Sequence, residues 1–232
     1  MQYDREIKLY IKRILMVVIL IIILFTGVTL LDDRKYIFCG IVIVLAGCVM
    51  MYHKYARVYG TIRRNVIIAV LTTMGVVGRC IFAPIPGFKP VTAIIIISAV
   101  YIGEESGFMV GSLIALVSDL VFGLGPWTPF QMVAWGLIGY AAGMKCIADK
   151  KNNTFVMIMV SAAGGIFYSL FMDIWSVISI TGVFEIKKYL YYIGTSLPYM
   201  GIYILSNIIF MLLLKNSIGE KLERINKKHR IF

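Results

Sequence analysis

The sequence predicts an all-α integral membrane protein of about eight transmembrane helices. Three observations predict it. Hydrophobic residues make up 60% of the 232 and charged residues only 15%, against about half and one-quarter in a soluble domain. The apolar residues fall in blocks long enough to enter a bilayer. The basic residues collect in alternate loops, as the positive-inside rule requires of a chain that weaves through a membrane.

The first block, Ile14–Leu31, has eighteen residues without a charge. It exceeds the roughly 7–15 residues of a signal-peptide core and no small-residue cleavage site follows, so it reads as a retained helix. With Tyr36–Met51 it forms an N-terminal hairpin over 1–52. The stretch YHKYARVYGTIRRN ends this part, and residues 53–65 form a basic cytoplasmic connector. Six further blocks make a core over 66–214: Val66–Ala83, Val91–Ile102, Phe108–Val121, Phe130–Met144, Phe155–Ile180 and Tyr189–Leu214. Three of these fall below the range of about 17–25 residues that a straight span needs, and each is bounded by Gly or Pro. A count of six or seven helices is the alternative. Residues 215–232 form a basic tail.

Placing the N-terminus inside puts seventeen Lys and Arg on the inner side against five outside, with Arg79 within a span. Both termini are then expected on the cytoplasmic side of the membrane. The net charge of +11 is mostly this bias, so it calls for no nucleic acid. The tail EKLERINKKHRIF suits anionic lipid or a protein partner. Cys39, Cys48, Cys80 and Cys146 lack C-x-x-C spacing, and His53 and His229 are isolated. No metal site and no bound prosthetic cofactor is expected.

The uncommon residues of the core converge on the outer side. All six prolines fall there: Pro84, Pro86 and Pro90 in one loop, Pro126 and Pro129 in the next, and Pro198 in the last helix. Irregular backbone at that depth is tolerated where it is packed in protein or lines a wet cavity. Trp127, Trp135 and Trp175 share the side, either as an interfacial belt or as a site. Arg79, Asp119 and Asp173 lie at similar depth on three helices, where an ionisable group costs about 2.5–3.5 kcal/mol unless paired or hydrated. A polar outward-facing cavity accounts for them, and so does an Arg79–Asp ion pair that fastens helices. Gln131 stands four residues before Trp135, on the same helix face. Asn207 reads first as a helix fastener. On the inner side, Gly103–Gly107 (GEESG) reads as an acidic turn, and Ala69 and Thr73 set a small-xxx-small spacing on the first core helix.

The segments PGFKP (Pro86–Pro90) and GPWTPFQMVAWGLIG (Gly125–Gly139) closely resemble the substrate-binding S components of energy-coupling factor (ECF) vitamin transporters. The nearest group is that of the cobalamin-type S components. The resemblance covers about residues 66–214. It implies a six-helix S-component bundle, here preceded by the extra two-helix hairpin, with a ligand site opening outward under loops. It implies partners as well: a transmembrane coupling subunit and two ABC-type ATPases. Ala69 and Thr73 would meet the coupling subunit, although the family's usual motif is Ala-x-x-x-Ala. Two more departures bear on the ligand. Tyr203 stands where a His is frequent, after Leu197-Pro198-Tyr199-Met200, and Asp119 stands where an Asn is common.

The leading expectation is a non-catalytic binding subunit of an ECF-type importer for a vitamin, with cobalamin or a corrinoid precursor foremost. Arg79, Lys89, Pro90, Asp119, Trp127, Thr128, Gln131, Trp135, Asp173 and Asn207 are the candidate substrate-binding residues. The chain has no phosphate-binding P-loop, so ATP hydrolysis would fall to partners. The alternative is a membrane scaffold with an S-component-like fold and no transported ligand. A third reading, an intramembrane enzyme using Asp119 and Asp173 as an acid–base pair, would need those carboxylates close to one another.

Overall fold

The computed structural model describes residues 62–229, together with 48, 49, 52, 55, 56 and 231. The expected hairpin over 1–52 and most of the connector over 53–65 lie outside the described residues. Among the described residues there is no strand. The chain forms α1 (Ile62–Ile81), α2 (Val91–Ile102), α3 (Glu104–Phe122), α4 (Thr128–Gly143), the one-turn α5 (Lys145–Ala148), α6 (Thr154–Thr181) and α7 (Ile186–His229). By length and composition α1, α3, α6 and α7 can each cross a bilayer.

The short α2 is the centre of the bundle. Eleven of its twelve residues are buried, and it packs on α1, α3, α4, α6 and α7. A helix apolar on every side belongs inside a protein. At about 1.5 Å per residue α2 is about 18 Å long, well short of a hydrocarbon core. Because neighbouring helices surround it, its ends need not reach both interfaces. Pro90 precedes it, and Gly103 turns the chain into α3 with φ 95°, a conformation that favours glycine.

α3 and α4 touch backbone to backbone. A Cβ on Gly139 would lie 2.2 Å from the Gly107 carbonyl oxygen, and one on Gly111 would lie 2.3 Å from that of Trp135. This contact sets the α3–α4 spacing and brings Asp119 on one helix near Thr128 on the other.

Two segments differ from the expectation. The acidic GEESG stretch is not a turn beyond Gly103, because Glu104 opens α3 and both Glu104 and Glu105 are buried. Acidic residues suit the positive end of a helix, and the nearby Arg64 supplies a cation. Arg64, expected in the connector, lies in α1, where its Nε donates to Ser106 Oγ at 2.9 Å and its Nη2 to the Ile102 carbonyl. The basic tail is also helical. α7 runs 44 residues to His229 with Pro198 inside it, about 66 Å at the standard rise. Lys215 in α7 donates to the Asn152 carbonyl at 3.2 Å and to Thr154 Oγ1 at 3.0 Å, tying that extension to the start of α6.

The described N-terminal residues lean on α1 and α3. Cys48 and Tyr55 are buried. The Tyr52 hydroxyl donates to Ser112 Oγ at 3.1 Å, and that of Tyr55 to Asn65 Oδ1 at 2.9 Å.

Candidate functional site

Helix alternation gathers the C-terminal ends of α1 and α3 and the start of α4 at the proline-rich end of the bundle. Arg79 of α1 donates through Nη1 to Asp119 Oδ1 of α3 at 2.8 Å. The same nitrogen donates to Ser118 Oγ. Thr128, at the start of α4, donates its hydroxyl to the other carboxylate oxygen of Asp119 at 2.7 Å. Asp119 is 1% exposed, Thr128 4% and Arg79 9%. A charge this deep is tolerable because it is paired and hydrogen-bonded.

The loop between α3 and α4 is fastened to this network by the same threonine. Thr128 N donates to the Gly125 carbonyl at 2.9 Å, and Gly125 N donates to Thr128 Oγ1 at 3.2 Å. Gly125 must lack a side chain here, since a Cβ would lie 2.3 Å from the Trp127 ring. The crowded Gly-Pro-Trp-Thr-Pro stretch thus folds on itself and delivers Thr128 to Asp119.

Aromatic rings wall the ion pair. The guanidinium carbon of Arg79 lies 4.9 Å from the Phe122 ring centroid and 5.2 Å from that of Trp135, within cation–π range. Trp135 stacks on Tyr168 of α6 at 5.1 Å and 11°. Tyr168 meets Tyr203 of α7 edge-on at 5.3 Å. Trp135 is 2% exposed, so in this conformation its ring backs the guanidinium and the tyrosine and does not form an open platform. Gln131, one turn before it, has a buried Oε1 with no hydrogen-bond partner among the described residues.

The first proline-rich loop is fastened to α7. Lys89 N donates to Ser206 Oγ at 2.8 Å, and the Ser206 hydroxyl donates to the Lys89 carbonyl at 3.0 Å. Pro90 is buried, its ring in the notch left by Gly78, where a Cβ would lie 2.4 Å from it. The Lys89 side chain is half-buried. Burial first, then the nearby Arg79 charge, lowers its pKa to about 8, while Asp119 acts in the opposite sense.

Three of the sequence-predicted residues lie elsewhere. Asp173 accepts from the Ser196 hydroxyl at 2.6 Å between α6 and α7. Among the described residues it shares no hydrogen-bond partner with Asp119. Asn207 donates to the Ser161 carbonyl at 3.2 Å while buried at 3%, the fastener its position suggests. Trp127 stays 39% exposed in its loop. Sequence reasoning passed over Ser118, Phe122 and Tyr168. Of these only Tyr168 carries a signal, a phenol deep in an apolar helix that needs a partner for its polar tip.

Ala69 and Thr73 are exposed on α1. With Thr72, Val76, Leu113 and Val117 they line an open groove of about 290 Å³. The Thr73 hydroxyl donates to the Ala69 carbonyl at 2.9 Å. Its departure from alanine therefore adds a methyl group and no unsatisfied polar atom.

The buried ion pair, the all-helical bundle and its apolar spans define a multi-pass membrane protein. The family model of the ECF transporter substrate-specific component matches residues 63–218, and the chain belongs to that family. The match begins in α1 and ends within α7, so it takes in every helix of the described bundle. Neither a curated protein nor a solved structure matches the chain.

Proposed function

We propose that this substrate-specific component binds a water-soluble vitamin or related micronutrient at the proline-rich end of its bundle, on the outer side of a bacterial plasma membrane. A corrinoid, cobalamin or a precursor, is the first candidate. The chain itself is non-catalytic and holds no prosthetic group. It hands its ligand to a transmembrane coupling subunit driven by two ATPases, with Ala69 and Thr73 in the docking face and both termini in the cytoplasm.

One observation carries the reading. Arg79, Asp119 and Thr128 come from three helices to a single buried network, walled by Phe122 and Trp135 and adjoining two proline-rich loops. Polar groups in an apolar bundle, with aromatic walls beside them, make the kind of site that orients a small ligand.

The test is tryptophan fluorescence of the purified protein, titrated with a panel of vitamins including cobalamin and cobinamide, with an inner-filter control. Trp135 adjoins the ion pair and Trp127 lies in the loop that Thr128 fastens, so a ligand there perturbs both. Saturable quenching by one compound, abolished in Gln131→Ala, supports the reading. A flat response from folded protein across the panel refutes it and favours a scaffold with no ligand.

A further inference from the structure

Arg79 is only half used. Asp119 receives one guanidinium nitrogen, Nη1, and gives its second oxygen to Thr128. A fastener built for strength would use the fork, two parallel N–H donors on two carboxylate oxygens. Among the described residues, Nε and Nη2 of Arg79 make no hydrogen bond. The residual exposure of the pair belongs to the arginine, 10% of its side chain against 1% for Asp119. Three N–H donors of a permanently charged group are therefore left unmatched within the bundle.

The charge balance points the same way. Lys89 makes no ion pair among the described residues. Both oxygens of the Asp119 carboxylate are already engaged. Around this network Arg79 and Lys89 carry two positive charges against the one of Asp119, while Asp173 at the same end is engaged with Ser196.

We propose that the ligand enters with an oxyanion, a carboxylate or a phosphate, which sits on the Nε/Nη2 edge of Arg79 that makes no hydrogen bond among the described residues, and neutralises Lys89. This rests on the binding reading above and names the chemical class that reading leaves open. Asp119 and Ser118 hold the guanidinium in place by its occupied nitrogen, while Phe122 and Trp135 fix its plane. The arrangement presents two N–H groups in the geometry that planar oxyanions accept. A neutral ligand of the same shape would leave those donors and the extra charge unmatched, which a buried site penalises more than it penalises a lost methylene.

The experiment titrates the full chain, in a phosphate-free maltoside detergent, with matched pairs: cobinamide phosphate and cobinamide, pantothenate and panthenol, biotin and biotinamide. In one pair the anionic member is expected to bind at least about tenfold more tightly than the neutral one. That preference should collapse in the double variant Arg79→Gln/Asp119→Asn, which removes both buried charges together and is checked for folding by its thermal transition. Asp119→Asn alone, which keeps Arg79 and frees it from its counter-charge, should retain the preference for the anion. Equal affinity within every binding pair overturns the oxyanion contact and leaves the binding reading standing. A preference that survives in the double variant also overturns it. If no member of any pair binds, the oxyanion contact is overturned for these ligands, and the binding reading fails with it when the full vitamin panel is also flat.

Discussion

Removing the Asp119 carboxylate tests whether the ion pair organises this end of the bundle. In Asp119→Ala the Arg79 guanidinium, 9% exposed, loses its counter-charge, and Thr128 loses the acceptor for its hydroxyl. A hydrogen bond to a charged group contributes about 1.5–3 kcal/mol, and a buried pair broken from one side costs about 3–5 kcal/mol. For a chain of this size that corresponds to a fall of roughly 6–20 °C in the thermal transition. The double variant Arg79→Met/Asp119→Leu leaves no charge to strand, and well-packed apolar replacements of an ion pair are often neutral. It should recover most of the lost stability without recovering ligand binding. The assay is thermal unfolding in detergent followed by size-exclusion, with a titration of each variant at a temperature where it is folded. An Asp119→Ala protein as stable as the parent would refute the reasoning, as would a double variant no more stable than Asp119→Ala.

Two further outcomes are expected. Gly139→Ala places a Cβ 2.2 Å from the Gly107 carbonyl oxygen, a contact with backbone that only a shift of α3 against α4 relieves. Overpacking of this kind costs about 1–3 kcal/mol, and a lowered thermal transition checks it. Lys89, at about 8 instead of its ordinary 10.5, binds fewer protons when folded than when unfolded between those values. Its contribution to stability therefore rises with pH through that window, while affinity for an anionic ligand falls as the ammonium is lost between pH 7 and 9. Lys89→Met should flatten both trends, measured as thermal transitions and dissociation constants at pH 7, 8 and 9.

Much of this architecture was legible in the chain before any coordinate. The blocks over 91–102, 155–180 and 189–214 announce helices because apolar runs in a bilayer must satisfy their own backbone, and α2, α6 and α7 fall on them. Arg79 and Asp119 were singled out because an ionisable group is costly in an apolar setting, and Thr128 came in with the proline-rich motif that carries it. The starts of α1 and α3 were misjudged for one reason. Arg64, Glu104 and Glu105 are charged and so read as loop, but in the bundle they are buried at helix starts, and Arg64 bonds to groups that follow it by some forty residues. That Trp135 is covered by a second ring was hidden for the same reason, because Tyr168, which stacks on it, lies 33 positions further along the chain.

The sequence by itself determined that this is a helical membrane protein, where the middles of α1 to α4, α6 and α7 lie, and at which end its unusual residues gather. Hydropathy and charge placement depend on each residue and its near neighbours, and the bilayer reads them directly. Only the tertiary structure decided that Asp119, and not Asp173, pairs with Arg79, that Thr128 completes the pair, and that Nε and Nη2 of the guanidinium make no hydrogen bond among the described residues. Those outcomes depend on how closely α3 and α4 approach and on how each helix is rotated. Backbone contact at Gly107 and Gly111 sets the approach of α3 to α4, and no count of residues along the chain contains it.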